Sequence, residues 1–187
     1  MGFDWPHQTE RIVKKTYGLF LCVIAGFLSG NQLWAQNPTT LADLAKLDSA
    51  TLDGLFRSAP RPDHLPNATT RGLVFFDPGK TLSRVEGRAF GLLWRGKALE
   101  GDNGLMKNRV AGAKVITAGM RLGESLTDGE QAVILDYQGY QGRATSFADK
   151  ARDEIREVSP GLWVGRMWVR GEDGLYTPST WFGLKSR

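Results

Sequence analysis

The sequence predicts a mainly β chain of α+β class, in which short N-terminal helices lead into a single antiparallel β-barrel. Three observations carry that reading. Turn dipeptides punctuate the chain from residue 72 onward, at Pro78-Gly79, Asn103-Gly104, Asp128-Gly129, Pro160-Gly161 and Asp173-Gly174. Asn-Gly and Asp-Gly are the pairs that two-residue hairpins prefer. Between the turns lie apolar segments of strand length, among them GLVFF (72–76), GLMKNRV (104–110), AKVITAGMRL (113–122), QAVILDY (131–137), LWVGRMWVR (162–170) and LYTPSTWFGL (175–184). Several alternate with period two: Trp163, Gly165, Met167 and Val169 face one way, and Val164, Arg166, Trp168 and Arg170 the other. Short alternating strands at regular turn spacing favour a sheet closed on itself.

The elements follow in order. Residues 1–35 read as a signal peptide: Arg11, Lys14 and Lys15 precede an apolar run of 12 residues, Tyr17 to Leu28, and a small residue, Ala35, stands at the expected cleavage point. The run is too short for a membrane-spanning helix, which needs about 20 apolar residues. An exported chain, periplasmic or secreted, with no transmembrane segment after removal of the leader is expected. Residues 36–70 form a helical segment and a Pro-rich connector. Leu41, Leu44, Leu47, Leu52 and Leu55 keep a helical spacing over 40–58, with a break at Asp48-Ser49 and with Thr40 and Ser49 as N-caps. APRPDHLPNATTR (59–71) reads as extended connector. Residues 71–187 form the barrel domain. Within it TLSRVEGRAFGLLW (81–94) carries a helical stripe and predicts a short helix before a strand from Trp94 to Leu99. SFADKARDEIREVSPG (146–161) has helical periodicity, yet its Pro-Gly turn points to a hairpin; a short helix near 146–151 and then a strand is the expectation.

Composition closes several chemistries. The chain of 187 residues has one Cys and two His, His7 and His64. Removing residues 1–35 takes Cys22 and His7 away and leaves 21 basic and 18 acidic residues. No disulfide, no metal site and no cofactor is expected. Acids and bases are interspersed, which gives no footprint for nucleic acid. Serine-nucleophile chemistry lacks a base, since His64 in the connector is the one imidazole left and no G-x-S-x-G string occurs. Any catalysis falls to carboxylates, Arg, Lys and Tyr.

The strings WRGKAL (94–99), NRV (108–110), DG (128–129), LDY (135–137) and RDEIREVSPGLWVGRMW (152–168) carry a resemblance. They resemble small exported bacterial proteins of unassigned function and, more loosely, are similar to GXWXG/DUF4334-type proteins. The chain departs from the latter at the G-x-W-x-G string, where RGLVFF stands at the nearest position. The resemblance implies a lipocalin-like barrel, whose interior either packs solid or holds one small ligand.

Charged residues inside apolar strands supply the site candidates. An unpaired buried charge is very costly, so inward members must pair or meet a ligand. Trp94, Lys97, Arg109, Arg152, Arg156 and Trp168 are the candidates for binding, with Arg suited to a carboxylate or phosphate head group. The plainer alternative makes RDEIRE a solvated face or a charged edge strand, and makes Trp94, Trp163, Trp168 and Trp181 ordinary core. Asp136, Tyr137 and Asp153 are the acid–base candidates for a cofactor-free isomerase, cyclase or hydrolase. Asp153 and Glu154 are adjacent and point to opposite faces of a strand, so they form no dyad. The leading expectation is a barrel that binds a small lipophilic or amphiphilic molecule. The cofactor-free enzyme and a ligand-free structural module of the envelope stand as alternatives.

Overall fold

Antiparallel pairing runs without a break around the sheet. The computed structural model describes residues 38–76, 78, 94–111, 113–138 and 148–187. Eight strands are β1 (Asn67–Phe75), β2 (Trp94–Glu100), β3 (Leu105–Val110), β4 (Ala113–Glu124), β5 (Gln131–Asp136), β6 (Ala151–Ser159), β7 (Leu162–Arg170) and β8 (Tyr176–Ser186). Each pairs with the next, and β8 returns to β1 from Thr70↔Ser186 to Phe75↔Trp181, so the sheet is a closed barrel. Gly104, Gly129, Gly161 and Gly174 all adopt positive φ (61°, 77°, 69° and 80°), the conformation that the turn dipeptides announce. The leader expected over 1–35 and the helix expected over 81–93 lie outside the described residues.

Register sorts the side chains into two cores. Inward positions of successive strands meet as Leu99↔Met106, Met106↔Ala118, Met120↔Leu135, Val133↔Ile155 and Val74↔Phe182. These residues, with Trp94, Trp163 and Leu184, fill the barrel. The outward face of β5–β8 and of the end of β1 is apolar as well, and Phe75, Ile134, Leu162, Val164 and Trp181 pack there with Leu44, Leu52 and Phe56.

Those last three come from two helices, α1 (Leu41–Leu44) and α2 (Ser49–Ser58). Thr40 caps α1 as expected, exchanging hydrogen bonds with Asp43 in a capping box. Asp48 rather than Ser49 caps α2, because its carboxylate accepts the Thr51 N–H at 2.8 Å while the Ser49 hydroxyl faces the Trp181 indole at 3.0 Å. Leu44, Leu52 and Phe56 are fully buried. Each such burial is worth about 1.5–3 kcal/mol, which fixes short helices that would not persist alone.

After α2 the chain crosses one end of the barrel as residues 59–66 and enters β1. The strand starts at Asn67, earlier than the expected 72, because Asn67, Ala68 and Thr69 pair with Glu100, Leu99 and Ala98. A single turn of 3₁₀ helix, Ala148–Lys150, precedes β6. The helical periodicity of 152–158 is overridden because that segment has ladder partners on both sides, β5 and β7.

Candidate functional site

Strand β2 carries the first device. From Leu99 and Lys97, alternation would turn Arg95 inward. The register instead skips a residue between Lys97↔Asn108 and Trp94↔Val110, a bulge at Arg95-Gly96 with Gly96 at φ +109°. Both Trp94 and Lys97 therefore enter the barrel. The Trp94 indole lies over Gly72, where a Cβ would come within 2.4 Å of the ring.

Lys97 meets three partners inside. Its Nζ donates to Asn108 Oδ1 at 2.9 Å and to Tyr137 OH at 2.7 Å, and pairs with Asp153 Oδ2 at 2.8 Å. The Tyr137 hydroxyl donates to the same Asp153 oxygen at 2.7 Å and accepts from Asn108 Nδ2 at 3.1 Å. The Trp94 Nε1–H donates to Asn108 Oδ1 at 3.0 Å. Rings of Trp94, Tyr137 and Phe182 stand 5.3–5.5 Å from Nζ, within cation–π range. All four polar members are buried. Burial first, and then the charge and hydrogen bond of Asp153, push the Tyr137 phenol well above its ordinary range, so it stays a proton donor. The three Lys97 donors are all used. This is a self-satisfied network that joins β2, β3 and β6 to Tyr137, the residue just after β5.

The other predicted residues divide differently. Asp136 faces outward, opposite Arg152; Leu135, not Asp136, is the inward partner of Asp153. The expected trio of Asp136, Tyr137 and Asp153 is therefore not one site, since consecutive positions 136 and 137 fall on opposite faces. Arg109 reaches along the outside to the Thr70 carbonyl at 3.1 Å. Arg152 and Trp168 are cross-strand partners on the outer wall. Arg152 pairs with Glu154 at 3.0 Å, and among the described residues its Nε and the Trp168 Nε1 have no hydrogen-bond partner. Glu154, also outward yet fully buried, accepts from Ser125 Oγ and the Leu126 N–H at 2.6 and 2.8 Å.

Arg156 is fully buried, with its guanidinium engaged at the outer wall, and the residue also borders the cleft at the connector end. Its five donors meet the carbonyls of Gln131, Phe56 and Glu130 and both carboxylate oxygens of Asp128. Of the six expected ligand-binding residues, then, Trp94 and Lys97 lie inside, Arg109, Arg152 and Trp168 lie on the outer wall, and Arg156 is buried at that wall and borders that cleft. Asn108 was not among the candidates, although a polar residue on the inward Met106–Asn108–Val110 face was a usable signal.

The opposite half of the interior opens into a cleft of about 490 Å³ at the end crossed by the connector. Val133, Ile155 and Trp163, all inward barrel positions, form its apolar side; Pro60, Pro62 and Pro66 roof it. Arg61, Asp63, His64 and Glu157 line the polar edge. Ile155 is the next inward residue after Asp153, so the cleft abuts the buried network. The connector is tied in place by the Gln131 amide on the Pro62 carbonyl at 2.6 Å and by Arg61 Nη1 on the carbonyls of Arg57 and Ala59. His64 is exposed, as expected for a connector histidine, with Asp63 beside its ring. Comparison with family models, curated proteins and solved structures finds no match, so what the site does is argued from its atoms alone.

Proposed function

We propose that the protein is an exported barrel that binds a small amphiphilic molecule in the cleft at the connector end. The observation that carries this reading is the division of that cleft: barrel side chains Val133, Ile155 and Trp163 offer an apolar wall, and Arg61, His64, Asp63 and Glu157 a charged edge. Its volume of about 490 Å³ lies within the range of small-molecule sites. An apolar tail fits against the barrel residues while a polar head stays at the edge among the connector charges. Export is supported by the leader-like composition of residues 1–35. The enzymatic alternative is less favoured, because Asp136 faces away and the Tyr137 hydroxyl is engaged by Asp153, Lys97 and Asn108.

The test is titration with a dansylated fatty acid, read by energy transfer from tryptophan. Saturable binding at one molecule per chain is expected. Trp163→Ala and Ile155→Glu should each weaken it about tenfold or more, a loss of about 1.4 kcal/mol. Arg121→Ala, at an exposed position of β4, should leave it unchanged. Unsaturable binding, or equal binding by the cleft variants with melting curves that show them folded, overturns the reading.

A further inference from the structure

The outer wall of the barrel is not uniform. The helices pack on β6–β8, whereas the outward positions of β1–β3 gather arginines. Arg71 on β1 and Arg95 on β2 are exposed. The β2 bulge is what turns Arg95 outward, as it turns Trp94 inward. It also ends the β1–β2 ladder at Thr69↔Ala98, which leaves the next carbonyl, that of Thr70, to accept the Arg109 guanidinium at 3.1 Å. Arg109 therefore reaches from β3 across β2 to β1 and ends beside Arg71. The Arg187 N–H donates to the Thr69 carbonyl at 3.1 Å and sets a fourth guanidinium at the same place. Among the described residues none of the four makes an ion pair with a carboxylate. Arg187 falls below the ordinary arginine range chiefly because Arg109 is so near, with slight burial and then Arg71 and Arg95 adding to it.

Four neighbouring arginines with no carboxylate partner among the described residues repel one another, a cost that an anionic partner removes. We propose that the outer wall of β1–β3 docks on an anionic membrane surface, with Arg71, Arg95, Arg109 and Arg187 against the lipid phosphates. The wall of a barrel is convex, so it suits an extended charged plane better than a single small anion, which needs a concave site. The outward neighbours Thr69, Ala98 and Lys107 offer no aromatic face on which nucleic-acid bases stack. Guanidinium is also the side chain best matched to phosphate oxygens. This surface is separate from the cleft, and its test does not depend on the cleft binding anything.

Co-sedimentation with vesicles decides it. Binding is expected to phosphatidylcholine vesicles that contain phosphatidylglycerol, not to phosphatidylcholine alone, and is expected to fade as salt shortens the reach of surface charge. At about 1 kcal/mol per basic residue, each arginine changed to Gln should weaken partition about fivefold, and the Arg71/Arg95/Arg109 triple variant about a hundredfold. Because Arg109 also holds the Thr70 carbonyl, the Arg71→Gln/Arg95→Gln double variant, which breaks no hydrogen bond described here, gives the reading if the triple variant melts early. The charge-matched control is Lys46→Gln/Arg121→Gln/Lys150→Gln, all exposed residues elsewhere, which should lose much less. Equal loss in that control assigns the effect to net charge and overturns the proposal. So does equal binding to neutral vesicles, or tighter binding to duplex DNA than to the anionic vesicles at the same salt.

Discussion

Asp128, on the loop between β4 and β5, gives both carboxylate oxygens to the Arg156 guanidinium, at 2.6 and 2.8 Å. The same guanidinium lies 4.5 Å from the centre of the Phe56 ring of α2 and donates to its carbonyl. One side chain thus joins a barrel strand, a loop and a helix. Arg156→Ala strands a carboxylate that is only 8% exposed, and about 3–5 kcal/mol of loss is expected in urea denaturation. Arg156→Lys should recover little, because three donors on a point cannot replace five in a plane.

Acid should act through the same pair. Burial works to raise the Asp128 pKa, but hydrogen bonds from Arg156 and the Glu130 N–H, with the Arg156 charge, hold it below the ordinary value. A lowered folded value means that the unfolded chain binds the proton more readily. The stabilisation is then complete above the unfolded value of about 3.9 and is lost as pH falls through the folded one. Urea midpoints measured down through pH 4 should drop, and the drop should be shallower in Asp128→Asn.

The interior network has an analogous but sharper dependence on its partner. Lys97→Met leaves Asp153 buried without a cation, and about 3–5 kcal/mol of destabilisation is expected. Adding Asp153→Leu should restore part of it, since two apolar groups need no partner. A double-mutant cycle by chemical denaturation reads the coupling directly; strict additivity would show that the pair is not energetically joined.

Gly96 has no substitute. Its φ of +109° is strained for any L side chain, and a Cβ there would stand 2.6 Å from the Thr70 carbonyl oxygen. Gly96→Ala should therefore lower the melting temperature, by more than Gly54→Ala, which meets nothing within 4 Å. It should also weaken Trp94 burial, seen as a red shift of tryptophan emission.

Helix α2 covers apolar barrel wall rather than lining the interior. Phe56→Ala should cost about 3–5 kcal/mol and uncover the surface formed by Ile134, Val164 and Trp181. Increased binding of a hydrophobic dye by the folded variant would report it.

The hairpin turns were legible because Asn-Gly, Asp-Gly and Pro-Gly encode backbone conformation directly, and Gly104, Gly129, Gly161 and Gly174 bear them out. Strand alternation was legible in 162–170, where odd positions do face inward. What period two cannot reveal is a shift of period, and the bulge at Arg95-Gly96 is one; it decides that Trp94 and Lys97 share the interior. Nor can it say which face of β6 is inside, since both Ala151–Asp153–Ile155–Glu157 and Arg152–Glu154–Arg156–Val158 mix charged and apolar residues. The pairings with β5 and β7 settle that, and they send Arg152 and Arg156 outward. Lys97 was singled out for binding and Tyr137 and Asp153 for acid–base chemistry, and the three lie 16 to 56 residues apart in sequence. Only closure of the sheet brings them together.

That closure has an order built into it. Seven of the eight ladders join neighbouring strands, whereas β1 and β8 are separated by more than 100 residues, as the Thr180–Phe75 hydrogen bond spans. The entropy of closing so long a loop falls on a single step. The meander from β2 to β7 can assemble locally, and the β1–β8 ladder is then the last to form and the first to part. Amide hydrogens of Leu73–Phe75 and Trp181–Gly183 should exchange with lower protection than those of β6 and β7, a difference that native-state exchange under mild denaturant would resolve.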